Sequence, residues 1–243
     1  MSTIRLIVGA ALAAGVVTAA PVGGGGPGTS AAHVSPPARG ALFDHPQENP
    51  YFPLRPGTVS RYRVRDDGER LHERVTVTDR TRTVLGVRTT VVRDVLRRDD
   101  GTLAERTHDW YAADDDGNVW YFGEDTATYD DRGHLESREG SWEAGVHGAV
   151  AGTIMPADPQ PTDAYRQEYL REHAEDQAWI VQRHATGRVP YGRLHDVVRT
   201  FEWTRLEPRV LAAKFYAPGL GIVREQDVAG GTETVVLVSV RHR

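Results

Sequence analysis

The chain of 243 residues contains no cysteine. That excludes disulfides, thiolate metal centres and cysteine nucleophiles, so the fold must hold by burial alone. Lysine is nearly absent as well. Lys214 is the only one, and the remaining basic charge is arginine, which reads as the codon bias of a GC-rich bacterial genome. Also missing are G-x-S-x-G, the Walker A loop and H-E-x-x-H, and G-x-G-x-x-G occurs only inside the low-complexity glycine run 23–28. No nucleophile elbow, phosphate loop, zincin helix or dinucleotide fingerprint is therefore present, and no cofactor is expected. A basic excess is lacking too. The net charge is −5 and the pI about 6.1, which speaks against nucleic acid as a partner.

The longest apolar run, Leu6 to Ala20 ("LIVGAALAAGVVTAA"), falls short of the ~20 residues that a membrane span needs. It follows Arg5 and ends in small residues, the order of a secretory signal peptide. The expected boundaries are a signal peptide at 1–20, with cleavage as late as 32, a Gly/Pro-rich tether at 21–48 and a single β-rich domain at 49–243. An uncleaved N-terminal anchor is the alternative. "LAAG" at 12–15 has the outline of a lipoprotein box, but Gly15 stands where a lipidated cysteine is required. The expectation is a secreted or extracytoplasmic protein that is not a lipoprotein and has no transmembrane span once mature.

From Asn49 onward the pattern is period-two alternation rich in β-branched and aromatic residues. Turn residues interrupt it at "DDGE" (66–69), "DDGT" (99–102), "DDGN" (115–118), "APGLG" (217–221) and "AGGT" (229–232). Short loops between consecutive strands imply an antiparallel meander. The predicted class is mainly β, a curved meander sheet or half-barrel. Two segments break the rhythm. Gly140 to Asp163 reads as an excursion across one end of the sheet. Tyr165 to Gln177 fits a short helix capped by Thr162 or Asp163, and equally a strand, because Tyr165, Gln167 and Tyr169 alternate.

The stretch "ADDDGNVWYFGED" at 113–125 concentrates acids and aromatics. Asp114, Asp116 and Asn118 have the alternate spacing of calcium ligands, but Gly117 falls between ligands and Glu124 is misplaced for the closing bidentate position. Asp-Asp-Gly also recurs at 66–68 and 99–101 without the extra acid, so turn chemistry explains all three. Asp114, Asp116 and Asn118 remain weak metal candidates, and no metal is expected. A three-residue loop, Asp115–Gly117, pairs 114 with 118, 112 with 120, 110 with 122 and 108 with 124. A two-residue loop sets Asp109 against Glu124. Like charges face to face destabilise a sheet, so the first register is preferred.

In that register Trp110, Trp120 and Phe122 form an aromatic stripe that ends at a His108–Glu124 pair. These five are the candidate ligand-binding residues; the plain alternative is a packed core with an ion pair at its edge. His147 in a glycine-rich loop and the "EHAED" cluster (His173, Glu175, Asp176) are weaker candidates for acid–base or metal chemistry.

"THDWYAADDDGNVWYFGEDT" (107–126), "GSWEAGVHGAVAGTIMPADPQPTDAYRQEY" (140–169), "AED" (174–176) and "LEPRVLAAKFYAPGLGIV" (206–223) carry a resemblance. Over 49–225 the chain resembles a family of exported bacterial β-rich proteins to which no activity is attached, so the likeness supplies no catalytic residues. "KFYAPGLGIV" (214–223) is also similar to the late strand pair of LolA-like periplasmic half-barrels, which implies a curved sheet around an apolar cavity. Three functions follow as expectations. The leading one is a binding or carrier module for an apolar or amphiphilic small molecule in a β-cavity. A structural or interaction protein with an envelope protein partner is second, and an acid–base or metal-assisted hydrolase is third. The leading two are not enzymes.

Overall fold

The computed structural model describes residues 41–242; the expected signal peptide and most of the tether lie outside them. Fifteen strands and no helix are found among the described residues. They are β1 (Val59–Asp66), β2 (Glu69–Val84), β3 (Val87–Arg98), β4 (Leu103–Ala113), β5 (Val119–Tyr129), β6 (Leu135–Ser137), β7 (Trp142–Glu143), β8 (Val150–Met155), β9 (Ala164–Arg166), β10 (Glu168–Tyr169), β11 (Asp176–Val189), β12 (Gly192–Thr204), β13 (Leu211–Ala217), β14 (Gly221–Ala229) and β15 (Thr234–Arg241).

The sheet runs in the order β10-β8-β5-β4-β3-β2-β1-β15-β14-β13-β12-β11-β9. Every pairing is antiparallel, and β1 closes onto β15. The two ends of this path are neighbours in sequence. Arg166 pairs with Gln177 on β11, and Glu168 pairs with Ala151 on β8. The run 164–169 thus bridges both edges, and the curved sheet is nearly closed into a barrel. Near closure removes most of the exposed edge that a long meander otherwise carries.

The ambiguous segment is strand and turn, not helix. Gln167 is buried and donates its N–H to Asp176 O at 2.9 Å, and Glu172 has φ 62°, which no right-handed helix accommodates. The supposed excursion at 140–163 is also part of the wall, since it contains β7 and β8, both paired with β5. Gly152 on β8 lets the 164–169 run cross close by, because a Cβ there would stand 2.4 Å from Arg166 O. Ordered packing begins before Asn49. Asp115 N–H donates to Leu42 O, and Phe43 packs edge-on against Phe122 at 5.7 Å.

Along most strands apolar side chains and carboxyls share the inward face. Val64, Leu71, Leu96, Val235 and Leu237 pack together inside, and Glu73, Asp94, Glu105, Asp109 and Glu124 are buried in phase with them. Lys214 is buried among the carboxyls, 3.0 Å from Glu202 and 3.7 Å from Glu225. Arginines occupy the outward positions between them. That is the reverse of a transmembrane barrel, whose outer band is apolar.

Candidate functional site

Asp114 organises the tip of the β4–β5 hairpin. Its Oδ1 accepts N–H groups from Asp116 at 3.1 Å and Asn118 at 2.8 Å. Its Oδ2 accepts Asn118 Nδ2 at 2.9 Å and Trp120 Nε1 at 2.8 Å. Gly117 takes φ 90°, the left-handed position that ends the turn. The carboxylate is thereby committed to four donors, and Asn118 Oδ1 is taken by the N–H of Ala157. Among the described residues no group of three or more acids and histidines is arranged to hold a metal.

The register follows the three-residue loop at the tip and departs from it further down. Ala113 pairs with Val119, Ala112 with Trp120 and Tyr111 with Tyr121. A bulge then intervenes, after which Asp109 lies opposite Glu124 and His108 opposite Asp125. The expected His108–Glu124 pair is therefore absent. The cause is Gly123, at φ 136°, where a Cβ stands 2.3 Å from Trp142 O. The bulge inserts one residue, rotates Glu124 to the interior and lets β7 lie against the strand.

The two carboxyls brought face to face avoid the repulsion expected of them. Burial, then the Asp109 charge, raises Glu124 well above the usual carboxyl range; burial likewise raises Asp109. A protonated pair carries no charge to repel. Tyr121 OH donates to Asp109 at 2.8 Å, and its ring stacks on Tyr111 at 4.7 Å. A cavity of about 80 Å³ remains inside, with Phe52, Tyr111 and Tyr216 among its walls and the Asp109 carboxyl and Lys214 amine facing it.

Trp110, Trp120 and Phe122 share the opposite, outward face with His108. Phe122 is covered by Phe43, and Trp120 is half-buried beside Asp114. Trp110 forms the wall of a cleft of about 630 Å³ on the outside of the barrel. Arg82 stacks 4.1 Å above the Trp110 ring and is held there by Glu143. Arg80, His108 and His147 join the rim, and Val91, Val146 and Leu170 add apolar surface. Glu124 reaches the same cleft from beneath. Burial, then the neighbouring Arg106 charge, lowers the His108 pKa, with Arg93 and Arg80 acting in the same direction.

The structure thus brings His108, Trp110, Glu124 and His147 to one cleft and leaves His173 out of it. No hydrogen bond links the cleft's histidines to a nucleophile among the described residues. Ser141 Oγ, also at the cleft, donates to Thr126 O at 3.2 Å and accepts its N–H at 3.0 Å. The "EHAED" cluster is divided: His173 is exposed, Glu175 accepts the Glu172 N–H at 2.9 Å, and Asp176 is buried beneath the sheet. Sequence reasoning overlooked Arg80 and Arg82. Their only signal was charge on alternate positions of a strand that runs further, to Val84, than the alternation around it suggests.

No family model matches the chain, and the curated proteins contain no match. Two solved structures are similar over most of its length. One, from Bacteroides fragilis, is provisionally described as an exported protein with a YmcC-like fold; it is 15% identical, covers 83% of this chain and 99% of its own, and has a TM-score of 0.44. The other, from Parabacteroides distasonis, is provisionally described as a lipoprotein; it is 12% identical, covers 80% of this chain and 100% of its own, and has a TM-score of 0.42. At these scores the likeness carries no argument about the cleft.

Proposed function

We propose that this is an exported binding or carrier module that holds an amphiphile with an anionic head in the outer cleft. One observation carries the reading: an apolar wall and the guanidinium groups of Arg80 and Arg82 meet in a single cleft of about 630 Å³, whose rim acids Glu143 and Asp125 are held by Arg82 and Arg138. The interior cavity, at about 80 Å³, is well below the few hundred Å³ of ordinary ligand pockets. The apolar part of the guest lies along Trp110, Val91 and Leu170, and its head faces Arg80 and His108. Arg82 on the Trp110 ring offers a planar cation that can release Glu143 and take the head instead. The export reading rests on the sequence of the leader. The hydrolase reading lacks a nucleophile and base in mutual reach among the described residues.

Titration with a dansyl-labelled undecanoic acid tests the proposal. Saturable fluorescence enhancement at one site per chain is expected. Trp110→Ala should weaken it at least ten-fold, and Trp179→Ala, on the exposed face of β11, should leave it unchanged. Binding an anion beside His108 favours the imidazolium, so affinity should rise as pH falls through the histidine range. Absence of saturable binding, or equal losses in both tryptophan variants, refutes the cleft.

A further inference from the structure

The outer wall of β1 to β4 carries charges that packing does not explain. Arg61 stands directly across from Arg74, Arg65 across from Arg70, and Arg63 across from His72. Two seams further on, Arg93 stands across from His108. Like charges opposite each other destabilise a sheet, and here two Arg–Arg pairs lie on one ladder, with two Arg–His pairs on that ladder and on the β3–β4 ladder. Arg61, Arg63, Arg74 and Arg93 are exposed, and none makes an ion pair among the described residues. His72 differs, since its Nε2 lies 2.9 Å from Asp99 Oδ1.

The sheet bends here, so the arginines rim a trough of about 600 Å³. Val95 faces outward at its floor but is only 8% exposed. Its cross-strand neighbours are the exposed Arg74 and the half-buried Arg106, long side chains whose stems shield apolar surface at such positions. Two exposed acids of β2, Glu69 and Asp79, lie outside the trough. Glu73 and Asp94 face the interior, where burial raises both above the usual carboxyl range. The chain's negative formal charge therefore hides a basic surface.

We propose that this trough binds a linear polyanion through its phosphate groups. Alternate residues of a strand lie about 6.6 Å apart and neighbouring strands about 4.8 Å apart. The cations consequently form an array along two directions instead of a cluster about one ion, which suits a charge that repeats. Guanidinium groups match phosphate oxygens bidentately. No aromatic ring projects from the arginine ladders to stack a base, so the polymer is held by its charge and not by its side groups. A lipid surface fits less well, because the face is concave and Val238 is the one exposed large apolar residue at the trough. None of the trough residues lines the cleft, so the proposal stands apart from the amphiphile reading.

The test is titration of the purified protein with long-chain inorganic polyphosphate across a salt series. The variant is Arg61→Ser/Arg74→Ser/Arg93→Ser. The control is Arg188→Ser/Arg193→Ser, a lone like-charged pair on β11 and β12 outside the trough. The triple variant should bind at least ten-fold more weakly. Its slope of log K against log salt should be shallower by about two, at roughly 0.7 per lost phosphate contact. Its thermal midpoint should not fall, because repulsive pairs have been relieved. The control should bind as the parent does. Four results overturn the proposal: unchanged binding in the triple variant, an equal loss in the control, competition by orthophosphate at equal phosphate concentration, or binding to phosphatidylglycerol vesicles without binding to polyphosphate.

Discussion

Replacing Lys214 with methionine removes the ammonium from an interior crowded with carboxyl groups. Lys214 Nζ lies 3.0 Å from Glu202 Oε2 and 3.7 Å from Glu225 Oε2, with all three side chains at most 8% exposed. Burial pulls the Lys214 pKa down, but the Glu202 and Glu225 charges outweigh it and hold the ammonium above the ordinary lysine range. Burial raises Glu225 to about 7 even though Lys214 pulls it down. Without Lys214 that restraint is gone, and Glu225 must move higher still. Removing one partner of a buried pair costs about 3–5 kcal/mol. That is a large part of the ~5–15 kcal/mol that holds a domain folded.

The cost should depend on pH, and its sign is fixed. In the variant Glu225 binds its proton more tightly in the folded state than in the unfolded one. Stability is then fully present below the unfolded carboxyl range and is lost as pH rises through the folded value. Urea unfolding followed by tryptophan fluorescence should therefore show a loss of about 3–5 kcal/mol at pH 8 and a distinctly smaller loss at pH 5. Adding Glu202→Gln to Lys214→Met should recover part of the loss at pH 8, because one stranded carboxylate has been removed. A loss below about 1 kcal/mol at pH 8, or the same loss at both pH values, refutes the claim that Lys214 neutralises this interior.

Three further outcomes are expected. The parent should lose stability between about pH 4 and pH 7, because burial raises Asp94 to about 7 and Glu73 well above its usual value; thermal midpoints across that window check it, and Asp94→Asn should flatten the profile. Asp114→Ala should cost about 2–3 kcal/mol in urea unfolding, since four donors lose their acceptor, and millimolar calcium should not shift the parent's midpoint. Gly123→Ala should cost at least about 3 kcal/mol, because its Cβ meets Trp142 O at 2.3 Å and its φ of 136° disfavours any side chain; an unfolding midpoint within a degree of the parent's contradicts the bulge.

Much of the architecture was legible because strand and turn signals are local. Asp-Asp-Gly between alternating runs specified the hairpin tip, and Ala112 does pair with Trp120. The register failed three residues later, where a long-range contact decides it. Gly123 admits β7, and nothing in "YFGED" announces that Trp142 will lie against it. A glycine inside a strand pattern is a known signal of a bulge, so the position was readable even if its partner was not. The run 164–169 was undecidable for a similar reason. Its two halves pair with β11 and β8, and only those partners make it strand. The aromatic stripe was identified correctly as one face, but alternation cannot say which face looks inward. Trp110 and Phe122 are buried from outside by Arg82 and Phe43.

The carboxyl groups show why formal charge misled. Polar residues alternating with apolar ones ordinarily mark the solvent face, yet here the acids keep step with Val and Leu. In β1, Val64 and Asp66 are buried while Arg61, Arg63 and Arg65 are exposed; in β2, Leu71 and Glu73 are buried while Arg70, His72 and Arg74 are exposed. Arginine marks the outside because its charge cannot be shed. A carboxyl can take a proton, so burial shifts its pKa instead of expelling it. A period-two pattern in which arginine alternates with mixed apolar and acidic residues is therefore a signature of a barrel with carboxyls in its interior and a basic skin. A net charge of −5 counts both populations as if they faced the same solvent. The surface offered to a partner is more basic than that number, above all on the β1 to β4 wall, where burial raises Glu73, Asp94, Glu105 and Asp109 above the usual carboxyl range.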